Sequence, residues 1–390
     1  MPETKTIRDL RANVAAALAR SPRPFGLVEG FCGPGGMTLG LSQAGFEPLL
    51  AFDIDPPSVA THHRNLGGHA FVGDASALTG RDLRARAGLG RAPLALFAGG
   101  PPCQGFSKQK RGAHLGDERN HLVLDYIRLV GELRPRYFFF ENVAVFGQKR
   151  GREYVGQIHR RLADYRIHYT FVNSADFGLA QTRERFLIVG QRRTSPVSFR
   201  FPPRTVDKWA TVRSVLKGLP EPPADYSVHP RFPNHQRARV TAENIHRFSF
   251  VPQGGGWQDI PFEHRLPCHQ RVDTASGGWP DVFGRLVADG QCPTITGGFD
   301  SFTRGRFGHP FHDRPLTPRE AARLQGFPDD FVFEGTRGDV RGQIGNAVPP
   351  PLARAVGLEI LRSLLCEEGL LADTGPAPAG GDQPAQFVVG

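Results

Sequence analysis

The sequence predicts an α/β protein whose main domain is a doubly wound, mostly parallel β-sheet, accompanied by a smaller, loop-rich domain. Between residues 25 and 190, seven apolar runs alternate with amphipathic segments, which is the rhythm of repeated strand–helix–strand units. Several of these runs are apolar throughout, as expected of parallel strands that helices cover on both faces. From residue 191 the chain becomes rich in Pro, Gly, Arg, His and aromatic residues and loses this periodicity.

The predicted elements begin with an amphipathic helix over residues 8–19. The seven strand candidates that follow are, in order, FGLVEGF, PLLAFDID, HAFVGDA, APLALFA, RYFFFEN, IHYTFVN and RFLIVGQ. Helical signals return at Thr317, an N-cap candidate with Pro318 at the first helical position and Glu320 as the capping-box acid. That helix is expected to end near Gly326, and PPPLARAVGLEILRSLL predicts a second helix after it.

Charge and cysteine content limit the class of protein. The 390 residues carry a formal net charge of +10, which indicates a polyanionic partner. The cysteines are odd in number and scattered, which argues against a disulfide framework and predicts a cytoplasmic location; they are Cys32, Cys103, Cys268, Cys292 and Cys366. No apolar run has the length of a membrane span and the N-terminus lacks the apolar segment of a signal peptide, so we expect no membrane partner.

A glycine-rich turn and two carboxylates follow the first three strands. EGFCGPGGMTLGL opens a helix after the first strand, and Gly33 and Gly35 allow a tight turn and close approach to a ligand. Asp53 ends the second strand, where a carboxylate can accept from ribose hydroxyls, and Asp74 ends the third. Each acid alone is more often a turn residue. Together the three strand ends predict an adenosine-bearing cofactor that needs no pyrophosphate-binding loop.

Side chains that could take part in a reaction, a thiol and a carboxylate, follow the fourth and fifth strands. GGPPCQGFS places Cys103 after two prolines, which stiffen the approach to its thiol; taken alone, an inert buried cysteine is the simpler interpretation. RYFFFENV brings Glu141 to the neighbouring strand end, where a buried carboxylate requires a partner. In QTRERF, a period of two predicts that Gln181, Arg183 and Arg185 share one donor-rich strand face.

Together these motifs resemble the DNA (cytosine-5)-methyltransferase family. The matching stretches run in the family's order, between residue 25 and about residue 365: FCGPGG, DID, GDA, GGPPCQGFS, ENV, QTRERF, RPLTPREAARLQGFP and GNAVPP. The resemblance implies the Rossmann-like fold of class I S-adenosyl-L-methionine-dependent methyltransferases, in a bacterial enzyme of restriction-modification or solitary type. It implies a catalytic, cofactor-binding domain over 1–190 completed by 305–371 and a target-recognition domain over 191–304. Residues 372–390 are rich in Gly, Pro and Ala, which predicts a disordered tail.

The resemblance also implies the reaction and the residues that perform it. A methyl group would pass from S-adenosyl-L-methionine to C5 of a cytosine in a short, specific duplex DNA sequence, leaving S-adenosyl-L-homocysteine. Cys103 would attack C6 of the ring and form a covalent intermediate that is electron-rich at C5. Glu141 would hydrogen-bond ring N3 and the exocyclic amine, Arg185 would bind the base O2, and Arg183 would support the site.

By the same resemblance, nine residues would line the cofactor site: Phe31, Gly33, Gly35, Asp53, Ile54, Asp74, Pro102, Leu122 and Asn346. Ile54 departs from the family pattern, because many relatives place an aromatic residue against the adenine there. Adenine packing is therefore expected to be aliphatic in this chain.

The target base lies inside a duplex, so it would have to be rotated out of the stack. Residues 107–120 resemble the family's active-site loop, whose basic content suits closure over a phosphate backbone. CPTITGG resembles the Thr-hydrophobic pair near the end of the target-recognition domain. The expected DNA contacts are Gln104, Ser107, Lys108, Lys110, Arg111, Arg119, Gln181 and Thr294.

Several alternatives stay open at this point. The chain could act on RNA, like the family's tRNA-modifying branch, although residues 191–304 and the absence of that branch's Cys-Phe-Thr signature favour DNA. A catalytically inactive DNA-binding homologue is the second alternative. HRLPCHQ groups His264, Cys268 and His269 but lacks the second ligand pair of a zinc site, so no metal is expected. We expect a monomer, and the sequence leaves open whether a cognate restriction endonuclease accompanies it.

Overall fold

The computed structural model describes residues 2–102, 121–148, 151–272 and 279–373. Its residues pack into two compact units. The first, called the sheet unit, contains residues 2–177, 184–207 and the chain from 348 onward; the second, called the small unit, contains 178–183 and 208–347.

All seven predicted strands are present, in one sheet of the sheet unit, which confirms the α/β class. They are β1 (Gly26–Gly30), β2 (Glu47–Asp53), β3 (Ala70–Val72), β4 (Leu96–Gly99), β5 (Tyr137–Val143), β6 (Tyr165–Asn173) and β7 (Glu184–Arg192). The strand order is β3-β2-β1-β4-β5-β7-β6, with β7 antiparallel to both of its neighbours and the other pairings parallel.

Helices cover this sheet on both faces, because alternate strand residues enter separate cores. In β5, Tyr137 and Phe139 join one hydrophobic cluster, whereas Phe138 and Phe140 join another. The helices of the sheet unit are α1 (Lys5–Leu18), α2 (Gly36–Ala44), α3 (Pro56–Leu66), α4 (Gly80–Arg86), α5 (His121–Leu133), α6 (Arg152–Arg161) and α12 (Pro350–Glu367). Two 3-10 turns, Ala144–Gly147 and Ser174–Phe177, complete its described elements.

The small unit is built from short helices and long connections. Its helices are α7 (Val212–Leu216), α8 (Ala242–Ser249), α9 (Pro267–Gln270), α10 (Pro318–Leu324) and α11 (Arg337–Asn346), with 3-10 turns at Trp257–Asp259 and Phe262–His264. Its apolar centre includes the buried residues Phe248, Trp257, Phe283 and Phe302. The predicted capping box of α10 is confirmed: the Thr317 side chain accepts from the Glu320 N–H, and the Glu320 carboxylate accepts from the Thr317 N–H.

The boundaries of the two compact units differ from the domain boundaries predicted from the sequence. The units change at residues 207/208 and 347/348, and residues 305–347 pack with the small unit rather than with the sheet. The functional boundaries at 191 and 304 stay a prediction. Among the helices of the described residues, none combines the length and apolarity needed to cross a membrane.

Candidate functional site

Four parallel strands bring predicted cofactor residues to one edge of the sheet unit. β1 pairs in parallel with both β2 and β4, and β2 pairs in parallel with β3. Residues that follow these strands therefore share the carboxyl edge, where open α/β sheets bind ligands. Phe31 follows β1, Ile54 follows β2, Asp74 lies just after β3, and Pro102 lies just after β4.

The turn after β1 requires glycine for two different reasons. Gly33 has a φ of +51°, a left-handed conformation, and a side chain there would meet no atom within 4 Å. Gly35 has a φ of +98°, and a Cβ there would lie 2.4 Å from Leu66 Cδ1. Gly33 thus leaves open space at the surface of the turn, while Gly35 permits close packing beneath it.

The Asp53 carboxylate is held by backbone N–H groups. Its Oδ2 accepts from Gly33 N at 2.8 Å, and its Oδ1 accepts from Asp55 N at 3.0 Å. Burial raises the pKa of Asp53, while these backbone hydrogen bonds oppose the rise. The carboxylate is therefore fixed at the end of β2, with lone pairs left for a further donor such as a ribose hydroxyl.

Ile54 offers apolar surface beside this carboxylate. Its side chain is 67% exposed, although Phe52 in the strand before it is only 1% exposed. Phe31, which is partly buried, packs its ring 6.1 Å from that of Phe52. Exposed aliphatic surface at a strand end is suited to a flat apolar group such as adenine.

The other predicted cofactor residues are placed as follows. Asp74 is exposed, and its Oδ1 accepts from Ser76 N at 2.9 Å, which is a turn contact. Leu122 lies in α5 and is half-buried, as is Pro102. Asn346 is the exposed last residue of α11 and belongs to the small unit, whereas the other eight belong to the sheet unit.

A buried Glu–Arg pair joins β5 to β7. Val143 pairs with Arg185 and Glu141 with Leu187 in the antiparallel register, so Glu141 and Arg185 are diagonal neighbours on one face. Each residue is 7% exposed, and Glu141 Oε1 lies 2.7 Å from Arg185 Nε. That contact lacks hydrogen-bond geometry, and no described residue donates to Oε1. The carboxylate is thus charge-paired but keeps hydrogen-bonding capacity.

Asn142 fixes the segment that leads to Cys103, a role that the sequence analysis did not assign. Its Nδ2 donates to the Pro101 carbonyl at 3.0 Å, and its Oδ1 accepts from Val143 N at 2.9 Å. On the same edge, a Cβ at Gly100 would lie 3.3 Å from Glu141 Oε2. The signal was the polar pair Glu141–Asn142 after an aromatic run, of which only the acid was interpreted.

Glu29 was also missed, although it stands in the quoted turn motif. It is 2% exposed in β1, and its carboxylate accepts from the Thr38 hydroxyl. Thr38 Oγ1 in turn lies 3.2 Å from His62 Nε2. Burial raises the pKa of Glu29 to about 8, and nearby Asp53 adds to the rise. A charged residue inside an apolar strand is the sequence signal for such a group.

Gln181 and Arg183 do not share a strand face with Arg185, so that expectation is wrong. β7 begins at Glu184, so Gln181 and Arg183 lie before the strand, and both residues belong to the small unit. Gln181 is fully buried, donating to Gln325 Oε1 at 2.9 Å and accepting from Ile295 N at 2.9 Å. A DNA contact by Gln181 stays a prediction and would require these internal bonds to change.

Arg183 holds backbone carbonyls of the small unit. It is 2% exposed and donates to Ile295 O at 3.1 Å, to Gly345 O at 3.2 Å and to Ala347 O at 3.1 Å. It therefore connects the segment after Thr294 with the GNAV segment. The Thr294 hydroxyl itself donates to Thr182 O at 2.9 Å.

The remaining predicted residues lie outside the described part of the chain. They are Cys103, Gln104, Ser107, Lys108, Lys110, Arg111 and Arg119. Within the described ranges, no group of three or more His, Cys, Asp or Glu residues is arranged to hold a metal. His264 stacks on Phe250 with ring centroids 5.2 Å apart, and His269 lies 4.7 Å from the Trp257 ring.

Comparison with known proteins gives consistent matches over most of the chain. The family model described as C-5 cytosine-specific DNA methylase matches residues 25–362. Type II methyltransferase M.XorII of Xanthomonas oryzae is 35% identical over 378 residues, covering 88% of this chain and 85% of that protein. Type II methyltransferase M1.HphI of Haemophilus parahaemolyticus is 33% identical over 341 residues, covering 86% of each.

The fold is also similar to that of a solved structure. A prophage-encoded protein of E. coli, named as a DNA modification methyltransferase, superimposes with a TM-score of 0.65 at 26% identity. The match covers 87% of this chain and 99% of the other.

Proposed function

The chain belongs to the C-5 cytosine-specific DNA methylase family, and from this premise we propose that it methylates C5 of a cytosine extruded from duplex DNA. Membership makes it a DNA cytosine methyltransferase, and methyltransferase chemistry in general implies S-adenosyl-L-methionine as methyl donor. The observation that supports our proposal most is the buried Glu141–Arg185 pair, whose carboxylate retains unused hydrogen-bonding capacity beside the segment leading to Cys103.

The residues at the strand ends fit an adenosine-bearing methyl donor. The fixed Asp53 carboxylate can accept from ribose hydroxyls, and the exposed Ile54 side chain can pack against adenine. The open surface at Gly33 leaves room for a ligand to approach the backbone. When bound, S-adenosyl-L-methionine supplies an electrophilic methyl group on a sulfonium. Phe31, Gly35, Asp74, Pro102, Leu122 and Asn346 are proposed to complete this site.

Cys103 is proposed as the nucleophile. Its thiolate would form a bond to C6 of cytosine, which would place electron density on C5 so that C5 could take the methyl group, with S-adenosyl-L-homocysteine left as the product. A base then removes the C5 proton, the electron pair restores the C5–C6 double bond, and the Cys103–C6 bond breaks to release the thiolate. The two prolines before Cys103, and the Asn142 bond to Pro101, support a defined approach of the thiol.

Glu141 and Arg185 are proposed to hold the base during this attack. The Glu141 carboxyl would hydrogen-bond ring N3 and the exocyclic amine, and Arg185 would donate to the base O2. Their ion pair, 7% exposed on each side, keeps both groups in place before the base arrives. Arg183 would act through the backbone carbonyls that it holds, so we propose it as a positioning residue.

Access to the cytosine requires base flipping, since the ring atoms that react are stacked inside the duplex. Residues 191–304 are proposed as the target-recognition domain. The residues proposed to contact the DNA are Gln104, Ser107, Lys108, Lys110, Arg111, Arg119, Gln181 and Thr294. The net charge of +10 supports a polyanionic substrate.

Methyl transfer from labelled S-adenosyl-L-methionine tests the substrate class directly. Duplex DNA and tRNA are offered in parallel, and we expect incorporation into duplex DNA alone. Bisulfite sequencing of DNA from expressing cells then identifies the modified cytosine and its sequence context. Incorporation into tRNA and not into DNA would overturn the proposal.

Replacing Cys103 with Ser is expected to abolish methyl transfer, because a hydroxyl is too weak a nucleophile for C6 at neutral pH. Duplex DNA binding should persist in this variant. In the wild-type chain, a duplex carrying 5-fluorocytosine should form a covalent adduct that survives denaturing electrophoresis, since fluorine does not leave C5 as a proton. Substantial turnover by the Cys103→Ser variant would exclude the covalent route.

A further inference from the structure

The small unit contains a cavity of about 610 Å³ that the site described above does not use. It lies between the start of α8, the turn around residues 300–303 and one face of α11, with Tyr226 beside it. All of its lining residues belong to the small unit. The polar side chains of Thr241, Ser301 and Thr303 line it together with arginines.

Charge in this cavity is strongly positive. Four arginines line it, Arg237, Arg239, Arg337 and Arg341, and the only lining carboxylate is that of Asp300. Arg237 is also paired with Glu221, outside the lining, at 3.4 Å. Asp300 is 6% exposed and already engaged twice, by Arg337 Nε at 2.6 Å and by Arg341 Nη1 at 3.1 Å. One carboxylate therefore neutralises one of the two guanidinium groups that it contacts.

The hydrogen bonds of the two α11 arginines are also incomplete. Arg337 Nη2 and Arg341 Nε are buried, and neither nitrogen has a hydrogen-bond partner among the described residues. These two nitrogens are themselves inaccessible to a ligand, but the positive charge of this wall is incompletely compensated by acceptors within the protein, which favours an anion in the cavity.

Arg239 adds a cation with no acidic partner among the described residues. Its guanidinium lies 5.1 Å from the centroid of the Tyr226 ring, which keeps it at the cavity without neutralising it. Tyr226 has a φ of +66°, a conformation uncommon for a residue with a side chain, so its placement is specific. Arg239 is exposed, and its charge is therefore available to a ligand that enters from solvent.

We propose that this cavity receives a backbone phosphate of the DNA duplex and so contributes affinity without reading sequence. This inference rests on the proposed function, because it requires duplex DNA as substrate. Base edges lie at the floor of a DNA groove. Protruding side chains can reach them there, whereas a recess in the protein surface cannot. Phosphates project from the duplex surface and carry acceptor oxygens only, which matches a recess lined by donors.

The test measures binding of the full-length protein to a fluorescent random-sequence duplex between 50 and 200 mM salt. Arg239→Ala is expected to weaken binding about tenfold at 0.1 M salt and to lower the slope of log K against log salt by about 0.9, the value for one lost phosphate contact. Arg239→Gln, which keeps more of the side chain's packing, should give the same slope change.

Arg231→Ala is the matched control. Arg231 is an exposed arginine of the same unit that does not line the cavity, and its loss removes the same charge. We expect its slope to equal that of the wild type. Equal slopes for the Arg239 variants and the wild type, or an equal effect in Arg231→Ala, would overturn the inference.

Bisulfite sequencing separates phosphate binding from base reading. We expect Arg239→Gln to methylate the same sequence as the wild type, at a lower rate when DNA is limiting. A shift in the methylated sequence would overturn the phosphate assignment in favour of a base contact. Failure of the wild type to bind any duplex would instead overturn the proposed function itself.

Discussion

Glu141–Arg185 in the sheet unit and Glu320–Arg314 in the small unit are both buried ion pairs, and they differ in how completely their hydrogen bonds are used. In the small unit, Glu320 accepts from Arg314 Nη2 at 2.7 Å and Nη1 at 2.9 Å, and also from Thr317 N at 2.8 Å. Arg314 further donates to Glu221 through Nε and Nη2 and to the Pro315 carbonyl. All five N–H donors of this arginine thus have acceptors.

The Glu141–Arg185 pair is much less complete. Glu141 Oε1 lies close to Arg185 Nε but accepts no hydrogen bond from a described residue. A buried charge with spare hydrogen-bonding capacity is costly for folding alone. Burial of an ion pair therefore does not define its role: the Glu320–Arg314 pair is saturated and includes the acid of a capping box, whereas Glu141 keeps an oxygen to which no described residue donates.

Among variants of these two pairs, Glu141→Gln should change activity most. Loss of the carboxylate should lower the rate of methyl transfer by about 10²–10⁴-fold, the usual contribution of a positioned acid–base group. The free energy of unfolding should fall by at most about 2 kcal/mol, because no described residue donates to Glu141 Oε1 and the substitution breaks no hydrogen bond there. Single-turnover transfer from labelled donor, with urea denaturation alongside, measures both quantities. A stable variant with the wild-type rate would remove Glu141 from the reaction.

Glu320→Gln should show the opposite pattern. Both Glu320 oxygens accept hydrogen bonds, so the amide nitrogen must face a donor, and we expect a loss of about 3–5 kcal/mol in the free energy of unfolding. The folded fraction should retain a rate within about twofold of the wild type, since Glu320 is not a proposed site residue. Urea denaturation and transfer assays under folding conditions check this pattern. Lost activity at unchanged stability would contradict the contrast between the pairs.

Glu29 is a third buried acid, and its side chain is hydrogen-bonded to Thr38 instead of an arginine. Burial raises its folded pKa to about 8 from an ordinary value of 4.5, so the folded chain retains a proton that the unfolded chain releases. This stabilisation is fully present below pH 4.5 and is lost as pH rises toward 8, by up to about 1.4 kcal/mol per pH unit.

Glu29→Gln should remove this part of the pH dependence. Relative to the wild type, the variant is expected to become progressively more stable between pH 5 and pH 8. Urea denaturation at pH 5, 6.5 and 8 measures the difference. Parallel stability profiles for the two chains would mean that Glu29 has the same proton affinity in the folded and unfolded states.

The sequence was most informative where local chemistry decides the structure. Apolar runs predicted all seven strands, and Thr317 with Glu320 predicted the start of α10, because capping is a local hydrogen-bonding pattern. The direction of β7 was not visible, since an apolar run has the same pattern in both directions. Helix α11 was missed because Gly338, Gly342 and Gly345 weaken its helical pattern.

The site was predictable as a set of residues and less so as a set of contacts. Spacing identified Asp53 and Glu141 as strand-end carboxylates, and the structure places both there. The spacing did not reveal that the side chains of Gln181 and Arg183 form hydrogen bonds with backbone and amide groups of the small unit. Such contacts depend on residues more than a hundred positions away, such as Ile295 and Gln325, which no local pattern encodes.

The late position of α12 in the chain has a consequence for synthesis on the ribosome. Leu352, Val356 and Leu364 of α12 are buried in the core cluster that also contains Leu41 of α2. A Cβ at Gly40 would lie 2.2 Å from the Pro350 carbonyl, so the two helices approach closely. Residues 45–349 are translated between them, which takes on the order of tens of seconds at about 5–20 residues per second. During that interval the nascent chain exposes the apolar face of α2, a binding surface for chaperones until α12 emerges.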